Sequence, residues 1–258
     1  MEILVLLKQV PATESMIAIA DDGVSIKTDG LKYVINPYDE LAVEEALKIR
    51  EAQGGTVTIV TVGPAKATEA VRTALAMGAD KGVLIDPGDV LCDGLAVSKL
   101  LAAAVKEMPC DLIVAGHRAV DDDNFQVGPA VAELLGMPNI SMVIKEEIAD
   151  GKITCTCSVE GGTKDVEASL PALISTQRGL NEPRYASLPG IMKAKKKPLE
   201  TKSPADVGMD AAALAPKVVV QRLNTPPARQ GGRIIEGDSV QAKVTQLVKA
   251  LHEEAKVI

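Results

Sequence analysis

Residues 111–136, DLIVAGHRAVDDDNFQVGPAVAELLG, decide how the rest of the chain is read. An apolar run at 111–115 reads as a strand. A short polar loop with Asp121, Asp122 and Asp123 follows, and then an amphipathic helix. In an open α/β sheet, ligands sit at such strand-to-helix loops, beyond the carboxyl ends of the strands. A helix that starts there offers unpaired backbone N–H groups to an anion. The loop is therefore expected to hold an adenine nucleotide, with the remaining chain supporting it or meeting partners.

The flanking sequence repeats the same pattern. Residues 2–7 (EILVLL) form a continuous apolar run, as expected for a strand covered on both faces of a parallel sheet. Residues 12–34 are polar and irregular, with a turn at 21–23. Asn36-Pro37 then opens a helix, with Asn as N-cap and Pro at the first helical position. Strands at 56–62 and 82–85 alternate with helices at 65–77 and 94–106, which predicts βαβ units and a mostly parallel sheet. After Gly136-Met137-Pro138 the pattern becomes short strand-like runs at 140–148, 152–159 and 164–169. The first two are joined at Asp150-Gly151, a favoured hairpin turn. One more strand is expected at 173–176.

From Gly179 onward the chain no longer reads as globular. Residues 180–199 hold three prolines and the cluster Lys193, Lys195, Lys196 and Lys197, and residues 200–235 are spaced by Pro and Gly. A final helix at 239–254 has Val240, Val244, Leu247, Val248 and Leu251 on one face, so it should pack on something else. The expected fold is α/β: a mostly parallel, doubly wound, Rossmann-like sheet with an added β hairpin and an extended C-terminal arm ending in a helix. The nucleotide-binding domain would span 1–178, including the hairpin near 140–169. A partner-recognition loop at 179–200 and the arm at 201–258 would follow.

Composition excludes several classes. A net charge of −7 argues against general nucleic-acid binding, which needs a basic footprint. No apolar run approaches the roughly 18 residues of a spanning helix, so no membrane insertion is expected. Met1-Glu2 lacks the basic start of a signal peptide. The four cysteines and two histidines show no metal or redox spacing, and free thiols fit a cytoplasmic protein. One Phe, three Tyr and no Trp mean that a ring-shaped ligand is held mostly by aliphatic groups and backbone, or by a partner. The Rossmann dinucleotide and P-loop fingerprints are absent, as are a nucleophile elbow and a zinc-protease motif. No catalytic residue is assigned.

Loops 7–11, 62–64 and 116–127 would share one edge of the sheet, with 36–39 beside them. The plainer reading is that the three acids only cap a helix, since carboxylates favour the first turn. Three carboxylates also repel phosphate. A phosphate site therefore requires that N–H groups near Gln126 and Val127 take the anion while the acids turn to ribose, adenine or solvent. The lysine cluster reads equally as a solvated tail or as a docking element for an acidic partner, with Leu188, Ile191 and Met192 as its apolar anchor.

Five ordered blocks carry a family resemblance: VLLKQVP, INPYDELAVEEAL, RTALAMGAD, GHRAVDDDNFQVG and LNEPRYASLPGIMKAKKKP. Over essentially its full length the chain resembles the electron-transfer flavoprotein beta subunits. The resemblance implies a heterodimer with an alpha subunit, an FAD held mainly by alpha, and a structural AMP in beta. It also implies docking of acyl-CoA dehydrogenase-type flavoenzymes and delivery of electrons to a quinone-linked oxidoreductase, as in fatty acid β-oxidation. The implied nucleotide contacts are Leu6; Asn36, Pro37, Tyr38 and Asp39; Val62; and Gly116, His117, Arg118, Ala119, Val120, Asp121, Asp122, Asp123, Asn124, Phe125, Gln126 and Val127. The implied docking residues are Leu188, Ile191, Met192, Lys193, Lys195, Lys196 and Lys197, and the arm resembles the segment that wraps around alpha.

The chain departs from the family pattern at Cys157 and Lys164 in the hairpin. An electron-bifurcating branch places a second FAD where others hold AMP and oxidises NADH; it reads A-I-D-G-D-T in the acidic loop. Asp122 and Asn124 fit the AMP branch, whereas Gln126-Val127-Gly128-Pro129 resembles the bifurcating one. A stand-alone adenine-nucleotide sensor is the third reading, and it leaves the arm and the lysines without a role.

Overall fold

The computed structural model describes residues 1–90, 92–228 and 231–258, so Arg229 and Gln230 of the expected arm lie outside the described residues. The chain begins with β1 (Glu2–Leu6), β2 (Gln9–Pro11), β3 (Tyr33–Ile35), α1 (Pro37–Gln53) and β4 (Thr56–Val62). A short 3-10 turn leads to α2 (Thr68–Met77), β5 (Lys81–Ile85), α3 (Gly94–Lys106), β6 (Leu112–Gly116) and α4 (Val127–Leu135). Then come β7 (Asn139–Ala149), β8 (Lys152–Val159), β9 (Gly162–Ser169) and β10 (Ala172–Thr176). Finally α5 (Leu188–Ala194), β11 (Leu199–Lys202) and α6 (Val240–Lys249) close the order.

The main sheet runs β11-β5-β4-β1-β6-β10-β7-β8-β9. It is parallel from β11 to β7 and antiparallel from β7 to β9. The hairpin expected near 140–169 is thus an extension of the same sheet. Asp150 and Gly151 both adopt positive φ, 51° and 73°, as its tight turn requires.

The unbroken apolar run of β1 has a direct cause. Ile3, Val5 and Leu7 join the cluster under α1 and α2, while Leu4 and Leu6 join the opposite cluster under α3 and α4. Both faces of the strand are covered, so neither parity tolerates a polar residue. Each such side chain contributes about 1.5–3 kcal/mol on burial. From β1 the chain winds outward through β4 and β5, then crosses by α3 to β6 on the other side of β1. The order reverses between β1 and β6, and loops leaving the carboxyl ends of those two strands diverge to leave a crevice.

Three expectations need correction. The stretch expected to be irregular over residues 12–34 ends in a strand: Tyr33 and Val34 belong to β3, which pairs with β2 as an antiparallel two-stranded sheet. The segment after Gly179 is more ordered than it reads, since α5 packs on α2 and β11 adds a parallel edge to β5. Asn36 stands at the N-cap position of α1, but its side chain makes no cap hydrogen bond. The helix expected at 239–254 is α6 followed by a π turn over Ala250–Glu254, and α6 buries no residue.

Candidate functional site: a crevice at the sheet switch point

The crevice has a volume of about 220 Å³ and lies between the ends of β1, β4 and β6, the start of α3 and the acidic loop. Of the residues expected there, Leu6, Asn36, Asp39, Val62, Gly116, His117, Arg118, Ala119, Asp122, Asn124, Phe125, Gln126 and Val127 line it. Pro37, Tyr38, Val120, Asp121 and Asp123 are not part of the lining. Lys8, Cys92, Asp93, Gly94, Val97 and Leu101 also line it and were not singled out. Lys8 lies in a strand-end loop already selected. Asp93 and Gly94 follow β5, so the rule that chose the other strand-end loops applies to them equally.

Buried side chains fix the geometry of the loop. The Asn36 amide donates to the Arg118 carbonyl at 2.8 Å and to Asp39 Oδ1 at 3.0 Å, and its Oδ1 accepts the Val120 N–H at 3.1 Å. The cap side chain thereby stitches α1 to the acidic loop. Asp39 accepts from the Lys8 N–H at 2.7 Å and the Gly116 N–H at 3.1 Å, tying together the ends of β1 and β6. Burial pushes the Asp39 carboxyl up to about 7, while the N–H groups of Lys8, Asn36 and Gly116 draw it down.

His117 is buried, with Nδ1 2.9 Å from the Thr176 carbonyl. A carbonyl only accepts, so Nδ1 carries the proton and Nε2 keeps its lone pair. Burial holds the imidazole below its ordinary pKa, which favours the neutral ring. Tyr38 packs edge-on against it at 4.1 Å, and Phe125 lies 5.3 Å away.

The acids are paired rather than bare. Lys8 Nζ lies 2.8 Å from Asp121 and 2.9 Å from Asp122, while Arg118 reaches Asp123 at 3.1 Å. Burial would lower the Lys8 pKa, but these two carboxylates outweigh it and raise the value. Asp123 and Phe125 adopt φ of 48° and 56°. Left-handed backbone is costly for a bulky aromatic residue, and such strain clusters at functional loops. The loop ends at α4, whose Gln126 side chain caps nothing. Among the described residues, the N–H groups of Gln126, Val127 and Gly128 have no protein acceptor. The crevice therefore offers orphan donors suited to an anion beside carboxylates suited to hydroxyl or amino groups.

A second surface lies at α5. Arg184 forms a fork with Glu44 at 2.8 and 2.9 Å and also bonds Glu51, while Asn181 bonds the Leu41 carbonyl at 3.0 Å and Glu45 at 2.7 Å. These contacts pin residues 181–184 along α1. Gly190 lets α5 sit on α2: an added Cβ would lie 2.5 Å from the Ala76 carbonyl oxygen. Leu188 is 80% exposed, Met192 66% and Ile191 44%, with Lys193, Lys195 and Lys196 exposed beside them. Lys197 differs from this expectation. Its ammonium turns inward to the carbonyls of Leu75, Gly78 and Ala79, at 3.0, 3.3 and 2.6 Å, where it closes the end of α2.

The architecture defines an α/β protein with a switch-point crevice and a projecting apolar-and-basic loop. Comparison with known proteins gives the family. Residues 24–207 match the electron transfer flavoprotein domain. The chain is 42% identical to "Electron transfer flavoprotein subunit beta" of Bacillus subtilis (strain 168), covering all of both chains. It is 43% identical to the same-named protein of Syntrophomonas wolfei, covering all of this chain and 98% of that one. The human subunit beta is 37% identical, covering 92% of this chain and 93% of that one. The chain belongs to the electron transfer flavoprotein beta-subunit family and is an electron-transfer protein, which implies an alpha-subunit partner. Among the described residues no helix is long and apolar enough to cross a membrane.

Proposed function

We propose that this chain is the beta subunit of a cytoplasmic, heterodimeric electron carrier of the non-bifurcating type, with a structural AMP in the switch-point crevice. The observation that carries the reading is the crevice itself. It lies at the switch point where several strand-end loops meet, and Lys8 in its lining pairs with Asp121 and Asp122 of the acidic loop. The residues fit such a ligand: the unpaired N–H groups of Gln126, Val127 and Gly128 would take a phosphate, and Asp122 and Asn124 stand ready for hydroxyl groups. Neutral His117 and the apolar side chains of Leu6, Val62 and Phe125 would flank the base.

The FAD, held mainly by the alpha subunit, supplies the redox chemistry when bound. This chain supplies positioning. The exposed face of α6 (Val240, Val244, Leu247 and Val248) and the exposed Val218, Val219 and Val220 support an arm that lies on alpha. Leu188, Ile191 and Met192, rimmed by Lys193, Lys195 and Lys196, would seat an acidic face of an acyl-CoA dehydrogenase-type flavoenzyme, and electrons would leave to a quinone-linked acceptor.

The motif Gln126-Val127-Gly128-Pro129 favours a second reading, a bifurcating subunit with a second FAD in the same crevice. Stoichiometry separates the two. The chain is purified with its alpha partner, ligands are released with acid, and FAD and AMP are counted per heterodimer. One FAD and one AMP are expected; two FAD and no AMP would overturn the proposal.

A further inference from the structure

We infer that Arg72 is a positioning residue for partner docking: from α2 it mounts α5, and so fixes how Leu188, Ile191 and Met192 are presented. The inference rests on the reading of α5 as the docking element and adds the residue that holds that element in register.

α5 has little that would order it alone. It is seven residues long, and an isolated helix of that length is not stable in water. It buries only Ala194, so apolar packing grips it by one methyl group, while Leu188, Ile191 and Met192 face outward. At its start Ser187 Oγ accepts the Gly190 N–H at 3.1 Å, a bond internal to the segment. The orientation of α5 must therefore come from polar contacts with the body of the domain.

Those contacts lie at its carboxyl end. Arg72 Nη1 donates to the Ala194 carbonyl and to the Lys197 carbonyl, both at 2.7 Å. A helix carboxyl end carries orphan carbonyls and partial negative charge, so a guanidinium suits it on both counts. Lys197 makes the reciprocal contact, with its ammonium on the Leu75, Gly78 and Ala79 carbonyls at the end of α2. Each helix end thus meets a cation from the other's segment, and the two are cross-linked in register. Close packing at Gly190, where an added Cβ would lie 2.5 Å from the Ala76 carbonyl oxygen, restricts rolling of α5 on α2. The other end of the segment is held separately, by the Arg184 fork onto Glu44 of α1.

Arg72 is half-buried, whereas Lys193, Lys195 and Lys196 stand exposed, so it acts on a partner only through α5. With Arg72 in place the apolar anchor is preorganised. Without it, each docking event must order the end of α5 again, and that cost falls on association rather than on electron transfer within the docked complex.

The test follows flavin reduction in the intact heterodimer over a range of concentrations of a substrate-reduced acyl-CoA dehydrogenase. Dithionite serves as a reductant that needs no docking. Arg72→Met should raise the dehydrogenase concentration at half-saturation about fivefold, with the saturating rate, dithionite reduction and flavin content unchanged. Arg72→Lys keeps a cation within reach of a carbonyl and should recover part of the loss. An unchanged half-saturation in folded Arg72→Met would overturn the inference. So would a fall in dithionite reduction or flavin content, which would mark a general structural role. Leu188→Ala in the same assay keeps the two readings apart. If it raises half-saturation and Arg72→Met does not, only the mount fails; if neither does, the docking reading fails with it. Circular dichroism establishes that each variant is folded, and should Arg72→Met not fold, Arg72→Lys carries the same test with a smaller rise.

Discussion

Gly116→Ala should loosen the whole crevice, because Gly116 is where β6 meets the start of α1. A methyl group built there lies 2.8 Å from Tyr38 Cβ and 2.9 Å from the Tyr38 carbonyl carbon, and it overlaps the Asp39 carboxylate. Carbon atoms rest about 3.5–4.0 Å apart, so α1 must retreat from β6 by roughly 1 Å. Its backbone cannot yield as a flexible side chain would. Overpacking of this kind costs about 1–3 kcal/mol. The retreat also stretches the 3.1 Å bond from the Gly116 N–H to Asp39, worth about 1 kcal/mol more. A loss of about 2–4 kcal/mol lowers the melting temperature of a protein this size by roughly 5–15 °C. Differential scanning calorimetry of the heterodimer reads this directly. Gly162→Ala, with nothing within 4 Å of the added carbon, is the control and should be silent. A Gly116→Ala melting temperature within about 2 °C of wild type would refute the close-approach reasoning.

Other expectations follow from the same contacts. Asp39→Asn should destabilise by about 1–3 kcal/mol, because an amide NH₂ must face one of three N–H donors. Since the folded carboxyl sits near 7 and above its ordinary 3.8, its contribution is fully present below 3.8 and fades as pH rises toward 7. The gap between wild type and Asp39→Asn, followed by urea denaturation, should therefore be wider at about pH 5 than at about pH 8. Arg184→Met leaves the nearly buried Glu44 without its fork, at a cost of about 1–3 kcal/mol after allowing for the partly exposed guanidinium. Glu44 is buried, yet Arg184 holds it below its ordinary 4.5, so that stabilisation is present above 4.5 and lost below it. Acid titration should thus cost wild type more than the variant. Leu188→Ala should slow flavin reduction by a dehydrogenase about tenfold with flavin content unchanged; loss of flavin would mean that the residue is structural.

The sequence made the central sheet legible because burial on two faces leaves an unmistakable pattern. The runs at β1 and β6 are nearly all apolar, β4 and β10 mix apolar residues only with Thr and Ser, and all four strands are buried along most of their length. The same logic found the loop at the end of β6 and most of the residues that line the crevice. It failed where structure depends on distant contacts. β11, LETK, carries three polar residues, and pairing with β5 orders it beside the anchor that Arg72 makes to the Ala194 and Lys197 carbonyls. β2 and β3 are three residues each, too short for periodicity to register. Lys197 is indistinguishable in sequence from its exposed neighbours, and only the carbonyls at the end of α2 single it out. The Asn36 side chain has the identity of a helix cap but bonds the acidic loop, residues whose position no local pattern specifies.

The central claim is that the crevice holds a spectator nucleotide while redox chemistry belongs to one flavin shared with the alpha subunit. Anaerobic visible spectroscopy of the purified heterodimer tests it most directly. The flavin absorbance should bleach on addition of a substrate-reduced acyl-CoA dehydrogenase and remain unchanged with NADH. Bleaching of two flavins per heterodimer by NADH alone would contradict it.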